Sequence, residues 1–382
     1  MDPYESPWMD DELRILRESA RRFFEKEFAP HNERWIEEGK VDRDAWRKAG
    51  DAGLLCASIP TQYGGAGGDF RHETVVTEEH LRLGINGFGN QVHSTICAHY
   101  ILNYGTEAQR TRWLPKMATG ELICAIAMTE PDTGSDLQAV RTTAQRDGDA
   151  YVVNGAKTYI SNGQNADLVI VVAKTDPTQG GKGISLVVVE TDHAPGFQRG
   201  RKLRKLGQES ADTSELFFAD CRVSADNLLG GVEGKGFAQL MQQLPQERLS
   251  IAQAAVVDME RALALTIEFV RQRKAFGKSV IDFQNTKFKL AECKTEAFIA
   301  RTFVDQCVLW HLDGKLDAST ASMAKYWCTQ KENEIVDECL QLHGGAGYML
   351  EYPIARMYAD ARVQKIYGGT NEIMKELISR TL

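Results

Sequence analysis

The spacing of hydrophobic residues divides the chain into three parts. Between residues 10 and 120, apolar residues recur at intervals of three and four positions. The first such stripe consists of Leu13, Leu16, Ala20 and Phe23. This period is typical of amphipathic helices, so we expect the first part of the chain to be helical.

The second part, residues 123–228, contains short β-branched runs such as "DLVIVVAKT", "GISLVVVE" and "ELFFADCRV". Asp-Gly at 147–148 and Asn-Gly at 154–155 and 162–163 separate or interrupt these runs. Such dipeptides are strong signals for β-hairpin turns. A small β domain is therefore predicted here.

The third part returns to helical spacing in three segments of roughly 20 residues or more, which exceed the usual helix length. Long neighbouring helices of this kind favour a four-helix bundle. The predicted fold class is α+β, with an all-α N-terminal domain (1–122), a middle antiparallel β domain (123–231) and a C-terminal four-helix bundle (232–382).

Composition narrows the classes of function. The net charge of -8 argues against a general nucleic-acid binder. The sequence contains no run of about 18 apolar residues, so no membrane span is indicated. The acidic start resembles neither a secretory signal nor an Arg-rich transit peptide. We therefore expect a cytoplasmic protein, or a mitochondrial matrix protein if the chain is a processed eukaryotic one.

The eight cysteines form no CxxC pair, and the eight histidines show no metal-ligand spacing. We expect the cysteines to be small buried residues in a reducing compartment. No structural metal is expected.

Two stretches of the β part carry candidate chemistry. In "AIAMTEPDTGSDL" (125–137), Thr129, Glu130 and Ser135 follow a strand-like run, where they could hold a heteroaromatic edge or a phosphate. The alternative is an ordinary structural turn. In "KTYISNG", Tyr159 and Ser161 alternate on a predicted strand and share a face. They suit stacking and hydrogen bonding to a flat ring, or they form an ordinary surface pair.

Two further stretches lie in the helical C-terminal part. In "RQRKAFGKSVIDFQ", Arg273, Lys274 and Lys278 could meet phosphates, or complement a helix dipole. The last stretch, "QLHGGAGYMLEYPIARMYADARVQKIYGGTNEI", has Gly-rich turns that include Gly368 and Gly369. No GxGxxG follows a strand, which argues against a Rossmann nucleotide site.

Together, "MTEPDTGSDL", "YISNG", "RKAFGKSVIDFQ" and the Gly-rich stretch resemble the acyl-CoA dehydrogenase family, in the right order and over essentially the whole chain. The resemblance implies a helical, β and four-helix-bundle fold that binds FAD. It implies oxidation of an acyl-CoA thioester to the trans-2-enoyl-CoA, with electrons passed to electron-transferring flavoprotein. It also implies a homo-oligomer, usually a dimer of dimers, with FAD near the dimer interface.

By the same resemblance, the FAD contacts come from five segments. They are Ile126, Met128, Thr129 and Ser135; Tyr159, Ile160 and Ser161; Arg273, Phe276 and Gln284; Gln341, Leu342, His343, Gly344 and Gly345; and Thr370, Asn371 and Glu372. The third and fourth segments resemble those that reach the FAD of a neighbouring subunit. Family members have Gly where this chain has Asp132, which leaves the geometry of that turn open.

The catalytic base is implied by a departure from the commonest family pattern. Many members carry a Glu in the slot that holds Gly368 here. The isovaleryl- and long-chain-type members instead carry it on the first long helix of the C-terminal domain, where "LPQERL" places Glu247. The alternative is that Glu247 forms a surface pair with Arg248; Glu130 and Glu372 are rival carboxylates.

Gly368 keeps a catalytic role in this interpretation, because its backbone N–H resembles a donor to the thioester carbonyl. We expected Pro245 in the first turn of its helix or at a kink. The other substrate contacts implied by the resemblance are Ser135, Gly183 and Ile184 for the CoA part, and Ala238, Pro245, Gln246, Arg248, Gly368 and Gly369.

The acyl group is only loosely defined. Ala238 and Ala346 are small where long-chain-type relatives often have aromatics, which would widen the pocket unless Tyr348 or Met349 compensates. A medium or long chain, a branched chain, a steroid side chain and a carrier-protein thioester all stay open. A same-fold oxidase, which in its peroxisomal form carries a further domain, and a catalytically silent or heteromeric subunit are the alternative functions.

Overall fold

The computed structural model describes residues 4–382 and begins with a helical region. Its helices are α1 (Asp11–Glu27), α2 (Asn32–Glu38), α3 (Arg43–Asp51), α4 (Phe70–Arg82), α5 (Ala98–Tyr104) and α6 (Glu107–Ala118). A π-helical turn, Gln91–Cys97, precedes α5 and is called the π turn below. Side chains of Asp10, Asp69 and Thr106 cap the starts of α1, α4 and α6.

The stripe predicted for α1 is correct except at one position. Leu13 and Ala20 are buried, but Phe24 is fully buried whereas Phe23 is only partly covered. An α-helix has 3.6 residues per turn, so the residues three and four positions after Ala20 both lie close to the helix face that Ala20 occupies. The aromatic ring that reaches the core is therefore Phe24.

The middle region is one seven-stranded sheet. Its strands are β1 (Cys124–Ala127), β2 (Thr143–Asp147), β3 (Ala150–Ser161), β4 (Leu168–Lys174), β5 (Ile184–Glu190), β6 (Phe197–Lys202) and β7 (Thr213–Ser224). The strand order is β1-β4-β2-β3-β7-β6, with β5 pairing β4. Most pairs are antiparallel, but β1 and β2 each pair with β4 in parallel, so the sheet is mixed rather than purely antiparallel.

One of the predicted hairpin turns is present in the sheet and another is not. The hairpin predicted at Asp147-Gly148 is present: Asp147 ends β2, and Gly148 and Asp149 form the turn to β3. The hairpin signal at Asn154 and Gly155 is wrong, because both residues lie inside β3 at a bulge opposite β7. Gly155 has φ +151°, and a side chain there would meet Thr142 at 2.4 Å. The glycine therefore serves a strand irregularity rather than a turn.

The C-terminal region consists mainly of three long helices: α7 (Gly236–Gln272), α8 (Gln284–Leu312) and α9 (Ala318–His343). A short hairpin, β8 (Lys274–Ala275) and β9 (Lys278–Ser279), separates α7 from α8; α10 (Pro353–Ala361) and α11 (Asn371–Ser379) follow α9. The three long helices pack on one another, and α11 packs on α9 as the fourth helix. The predicted α+β fold class, with helical, β and helical regions in that order, is confirmed.

The helical regions share one core, which fixes their relative position. Phe70 and Val75 of α4 belong to the same buried cluster as Leu249 and Val256 of α7. All eight cysteines are buried and unbridged, as expected. Among residues 4–382, none of the helices combines the length and apolar character that a membrane crossing requires.

Candidate active site

A cavity of about 420 Å³ lies where the three regions meet. The end of β1, the loop after it and the end of β3 form one wall. The π turn, α7, residues 367–369 and α11 supply the rest of the lining. The apolar members include Val92, Ile96, Phe237, Met241, Leu244 and Ile251. A large part of this cavity is therefore suited to a hydrocarbon chain.

Glu247 lines this cavity from α7 although its side chain is almost completely buried. The Tyr100 hydroxyl donates a hydrogen bond of 2.8 Å to its Oε1 atom. Burial raises the pKa of Glu247 to about 7, while that hydrogen bond and the charge of Arg248 act in the opposite direction. A carboxyl group poised near neutral pH, beside an apolar cavity, has the properties of a general base. The alternative of a solvated Glu247–Arg248 surface pair does not fit this burial.

Pro245 does not lie in the first turn of its helix, the first of the two predicted positions, but in the helix interior, where the second prediction places it at a kink. Helix α7 begins at Gly236, so Pro245 is ten residues into it and the helix continues through it to Gln272. Proline has no N–H, which leaves the Met241 carbonyl without its usual helical donor. Met241 lines the cavity, so this interruption lies on the α7 turn that precedes Glu247.

Gly368 and Gly369 adopt backbone conformations that strongly favour glycine, with φ of +64° and +94°. A side chain at Gly368 would begin 2.3 Å from Ile251 Cδ1. Behind this turn, the buried Lys325 ammonium of α9 donates hydrogen bonds to the Gly369 carbonyl (2.8 Å) and to Asn371 Oδ1 (2.9 Å). The glycine turn, residues 367–370, is thus held by the buried Lys325 side chain, and a side chain at Gly368 would require Ile251 to shift.

The wall formed by β1, the loop after it and the end of β3 suits a flat heteroaromatic ring. All seven residues predicted there line the cavity: Ile126, Met128, Thr129, Ser135, Tyr159, Ile160 and Ser161. The Tyr159 side chain is 69% exposed and its backbone has φ +59°, an unfavourable value for an aromatic residue. An exposed ring held in a strained conformation, next to hydroxyl groups, is typical of a ligand-binding wall. These residues therefore fit the isoalloxazine of FAD.

The Glu130 carboxylate, an alternative candidate for the base, is engaged in structural hydrogen bonds. Its carboxylate accepts hydrogen bonds from Lys157 Nζ (2.8 Å) and from the backbone N–H groups of Arg141 and Thr142. Lys157 also donates to the Met128 carbonyl at 3.0 Å. Asp132 is exposed and paired with Arg141, and its φ is not positive, so this turn does not require glycine there.

The other predicted FAD contacts lie outside this cavity. Arg273, Phe276 and Gln284 are exposed around the β8–β9 hairpin, and Phe276 is 96% exposed. Gln341, Gly344 and Gly345 are exposed at the end of α9, Leu342 is half-buried, and His343 is buried against Phe269. Thr370 caps α11, Asn371 is buried on Lys325, and Glu372 is exposed.

Several predicted substrate contacts also lie away from the cavity lining. Gly183 and Ile184 are buried at the start of β5, and Ala238 is exposed on α7. The Gln246 amide instead donates to the Thr95 carbonyl at 2.7 Å and joins α7 to the π turn. Ser135, Arg248, Gly368 and Gly369 do line the cavity.

Sequence reasoning missed three residues that organise the site. Lys325 had a detectable signal, because it stands on the apolar face of α9 with Ala321, Ala324 and Cys328. Lys157 and Tyr100 had none, since a lysine or tyrosine at such a position is ordinary until its partner is known. Among residues 4–382, no cluster of three or more His, Cys, Asp or Glu side chains is arranged to hold a metal ion.

A buried carboxyl group that lines a cavity beside an exposed tyrosine and hydroxyl groups fits the site of a flavin-dependent oxidoreductase. Models of the N-terminal, middle and C-terminal domains of acyl-CoA dehydrogenases match residues 10–121, 125–221 and 234–382. The chain belongs to the acyl-CoA dehydrogenase family, whose members are FAD-dependent.

Individual relatives agree with this assignment. The chain is 51% identical over 370 residues to the mitochondrial long-chain specific acyl-CoA dehydrogenase of Mus musculus, covering 96% of this chain and 86% of the relative. The crystal structure of an acyl-CoA dehydrogenase from Geobacillus kaustophilus matches with TM-score 0.97 and 49% identity over 99% of both chains. A glutaryl-CoA dehydrogenase from Mycobacterium smegmatis, solved with FADH2, matches with TM-score 0.90 and 29% identity over 98% of this chain and 95% of its own.

Proposed function

We propose that this protein removes the α and β hydrogens of an acyl-CoA thioester to form the trans-2-enoyl-CoA, with Glu247 as the base. Bound FAD supplies the acceptor for the β-hydrogen. The Glu247 carboxylate takes the α-proton, and the electrons of the broken Cα–H bond form the new double bond as the β-hydrogen leaves. The observation that carries this proposal is the buried Glu247 carboxyl group on the cavity wall, whose pKa is raised to about 7 by burial.

Gly368 has the second catalytic role in this proposal. Its backbone N–H is proposed to donate to the thioester carbonyl, where negative charge develops as the proton leaves. Its backbone has φ +64° and Lys325 holds the following residue, which supports a preorganised donor. No side chain is needed at this position, so the substrate can approach the backbone closely.

The proposed substrate is a medium- or long-chain, or branched, acyl-CoA. The apolar lining from the π turn and α7 supports a hydrocarbon chain, and similarity to long-chain specific relatives supports a longer one. Electron-transferring flavoprotein is the proposed acceptor of the electrons.

The proposed assembly is a homo-oligomer in which each FAD lies near a subunit interface. The predicted contacts divide into a set that lines the cavity and an exposed set around the β8–β9 hairpin and the end of α9. The exposed set, which includes Arg273 and Phe276, is proposed to hold the outer part of the FAD of a second copy. A guanidinium group suits a pyrophosphate.

The catalytic assignment is tested by mixing the FAD-loaded protein without oxygen with short, long, branched and steroid-like acyl-CoAs. Glu247→Gln is expected to stay yellow and to bind acyl-CoA, but to reduce flavin about 100- to 10,000-fold more slowly. Glu268→Gln, which changes an exposed carboxylate of the same helix α7, is the matched control and should reduce normally. Full reduction by Glu247→Gln would overturn the assignment.

The same preparation separates the alternative functions. A colourless protein after FAD addition would indicate a catalytically silent subunit. Rapid reoxidation of the reduced enzyme by air, without electron-transferring flavoprotein, would indicate an oxidase. The assembly is tested by FAD content and molar mass: Arg273→Ala should lose FAD, whereas Arg271→Ala, an exposed arginine two residues earlier, should not.

A further inference from the structure

The contact between Tyr100 and Glu247 joins two helices that are distant in the sequence. Tyr100 lies on α5, 147 residues before Glu247, and its side chain is completely buried. Its hydroxyl is 2.8 Å from Glu247 Oε1. No other side-chain or backbone donor among residues 4–382 hydrogen-bonds to this carboxylate. The second oxygen, Oε2, is therefore the one left for a ligand in the cavity that Glu247 lines.

We propose that Tyr100 is a positioning residue for the base: its hydroxyl fixes one carboxylate oxygen of Glu247 so that the other oxygen is presented to the cavity. This inference rests on the proposed role of Glu247. The α-proton would go to Oε2, while Tyr100 keeps its own proton and remains a donor throughout. Burial, followed by the nearby charge of Glu247, raises the pKa of Tyr100 well above its ordinary value, so its hydroxyl stays protonated.

Side-chain hydrogen bonds near Tyr100 support this role, because they join α7 to α5 and to the π turn. The Gln246 amide donates to the Thr95 carbonyl at 2.7 Å, and the Asn103 amide donates to Gln243 Oε1 at 3.0 Å. Thr95 and Asn103 flank Tyr100 in the sequence, and Gln243 and Gln246 both precede Glu247 on α7. Thr95 belongs to the π turn, a type of irregularity that is frequent at functional sites. Specific hydrogen bonds, rather than packing alone, therefore fix the position of Tyr100 relative to α7.

The other titratable groups that face Glu247 are few. Cys97 of the π turn and Tyr104 of α5 lie on the same side; burial raises the pKa of Tyr104 to about 12 and that of Cys97 well above its ordinary value. Arg248 is adjacent on α7, and Lys325 of α9 faces Arg248 rather than Glu247. Near neutral pH, Tyr100 is therefore the only one of these groups that hydrogen-bonds to the carboxylate.

Removing this hydroxyl has a predictable sign. The hydrogen bond stabilises the charged form of Glu247, so its loss should raise the pKa of the carboxyl group further. A net contribution typical of hydrogen bonds to charged groups corresponds to a shift of about one to two pH units. A role confined to packing would leave the midpoint unchanged, since Phe fills the same space except for one oxygen.

The test uses Tyr100→Phe in the FAD-loaded protein, with Tyr104→Phe as the matched control from the same helix. The first readout needs no substrate: infrared titration of the carboxyl group, with the Glu247→Gln spectrum subtracted. The second is the pH profile of flavin reduction. Tyr100→Phe should move both midpoints upward by about one to two pH units and Tyr104→Phe should move neither. An unchanged midpoint in Tyr100→Phe would overturn the inference.

A second variant covers the case in which Tyr100→Phe does not fold. Site-specific replacement of Tyr100 by a fluorotyrosine keeps the ring and makes the hydroxyl a stronger donor, so the midpoint should move downward. No movement would overturn the inference. Either failure would leave the base assignment intact, because that assignment is tested separately by Glu247→Gln.

Discussion

Lys325 donates a hydrogen bond of 2.8 Å to the carbonyl oxygen of Gly369 from the middle of α9. The same ammonium group reaches Asn371 Oδ1, and the lysine side chain is completely buried. Burial lowers the pKa of Lys325 to about 7, with the charge of Arg248 adding to that effect. A buried cation is costly unless it is well hydrogen-bonded, so this lysine and the glycine turn stabilise one another.

The first prediction concerns this lysine. Lys325→Met removes the donor behind the glycine turn and leaves the Gly369 carbonyl unpaired, at a cost of about 1–3 kcal/mol, while Asn371 Oδ1 keeps its hydrogen bond from Thr329 Oγ1 (3.2 Å). The Gly368 N–H should then lose its alignment, and flavin reduction should slow by up to about 100-fold. Anaerobic stopped-flow absorbance measures this rate. Lys331→Met, at a half-buried lysine of α9 that pairs with Glu296 and Glu334, is the control; equal rates in both variants would contradict the prediction.

The second prediction concerns the space beside Gly368. Gly368→Ala should destabilise the fold by at least about 1–2 kcal/mol, because its φ is +64° and its Cβ would lie 2.3 Å from Ile251 Cδ1. Ile251→Val removes that Cδ1 atom. The double variant should therefore lose less stability than the sum of the single changes. Urea unfolding provides the four free energies.

The control for this cycle is Gly134→Ala, at a cavity-lining glycine with no neighbour within 4 Å of an added Cβ. It should change stability little. Strict additivity of Gly368→Ala and Ile251→Val would show that Ile251 does not limit this position.

The third prediction links the base to stability. Glu247 has a pKa of about 7 in the fold against an ordinary 4.5, so its contribution to stability is fully present below pH 4.5 and is lost as pH rises through 7. Above that value, the buried charge costs roughly 3 kcal/mol relative to a neutral group. Glu247→Gln should therefore unfold at higher urea concentration than the parent at pH 8, but not at pH 4.5. Parallel stability curves across this range would refute the prediction.

The fourth prediction concerns the support behind the flavin wall. Lys157→Met leaves the Glu130 carboxylate buried without its cation, which typically costs about 3–5 kcal/mol. It also frees the Met128 carbonyl, so FAD retention should weaken; gel filtration followed by the flavin absorbance ratio measures this. Adding Glu130→Gln should recover part of the stability.

The control for this prediction is a substitution in an exposed ion pair on the same turn. Arg141→Met breaks the exposed Asp132–Arg141 pair on the same turn and should cost only about 0–1 kcal/mol. If it weakened FAD retention as much as Lys157→Met, the buried pair would have no special role.

The sequence by itself determined the helical, β and helical order of the regions, the long helices and the identity of Glu247 as the candidate acid. These features depend on local periodicity, or on motifs whose residues are adjacent in the chain. Seven residues predicted from the sequence to contact the flavin line one cavity, because they come from two short continuous segments. The mixed sheet and the bulge at Gly155 were not predictable, since strand pairing and register depend on partners that are remote in the sequence.

Only the tertiary structure decided how the acid is held and which groups surround it. Tyr100 is 147 residues from Glu247, and Lys325 is 44 residues from Gly369. The distinction between a surface Glu247–Arg248 pair and a buried base depended on burial, which no local pattern specifies. The pKa and the orientation of this carboxyl group follow from the groups that folding brings around it, and those groups come from both helical regions of the chain.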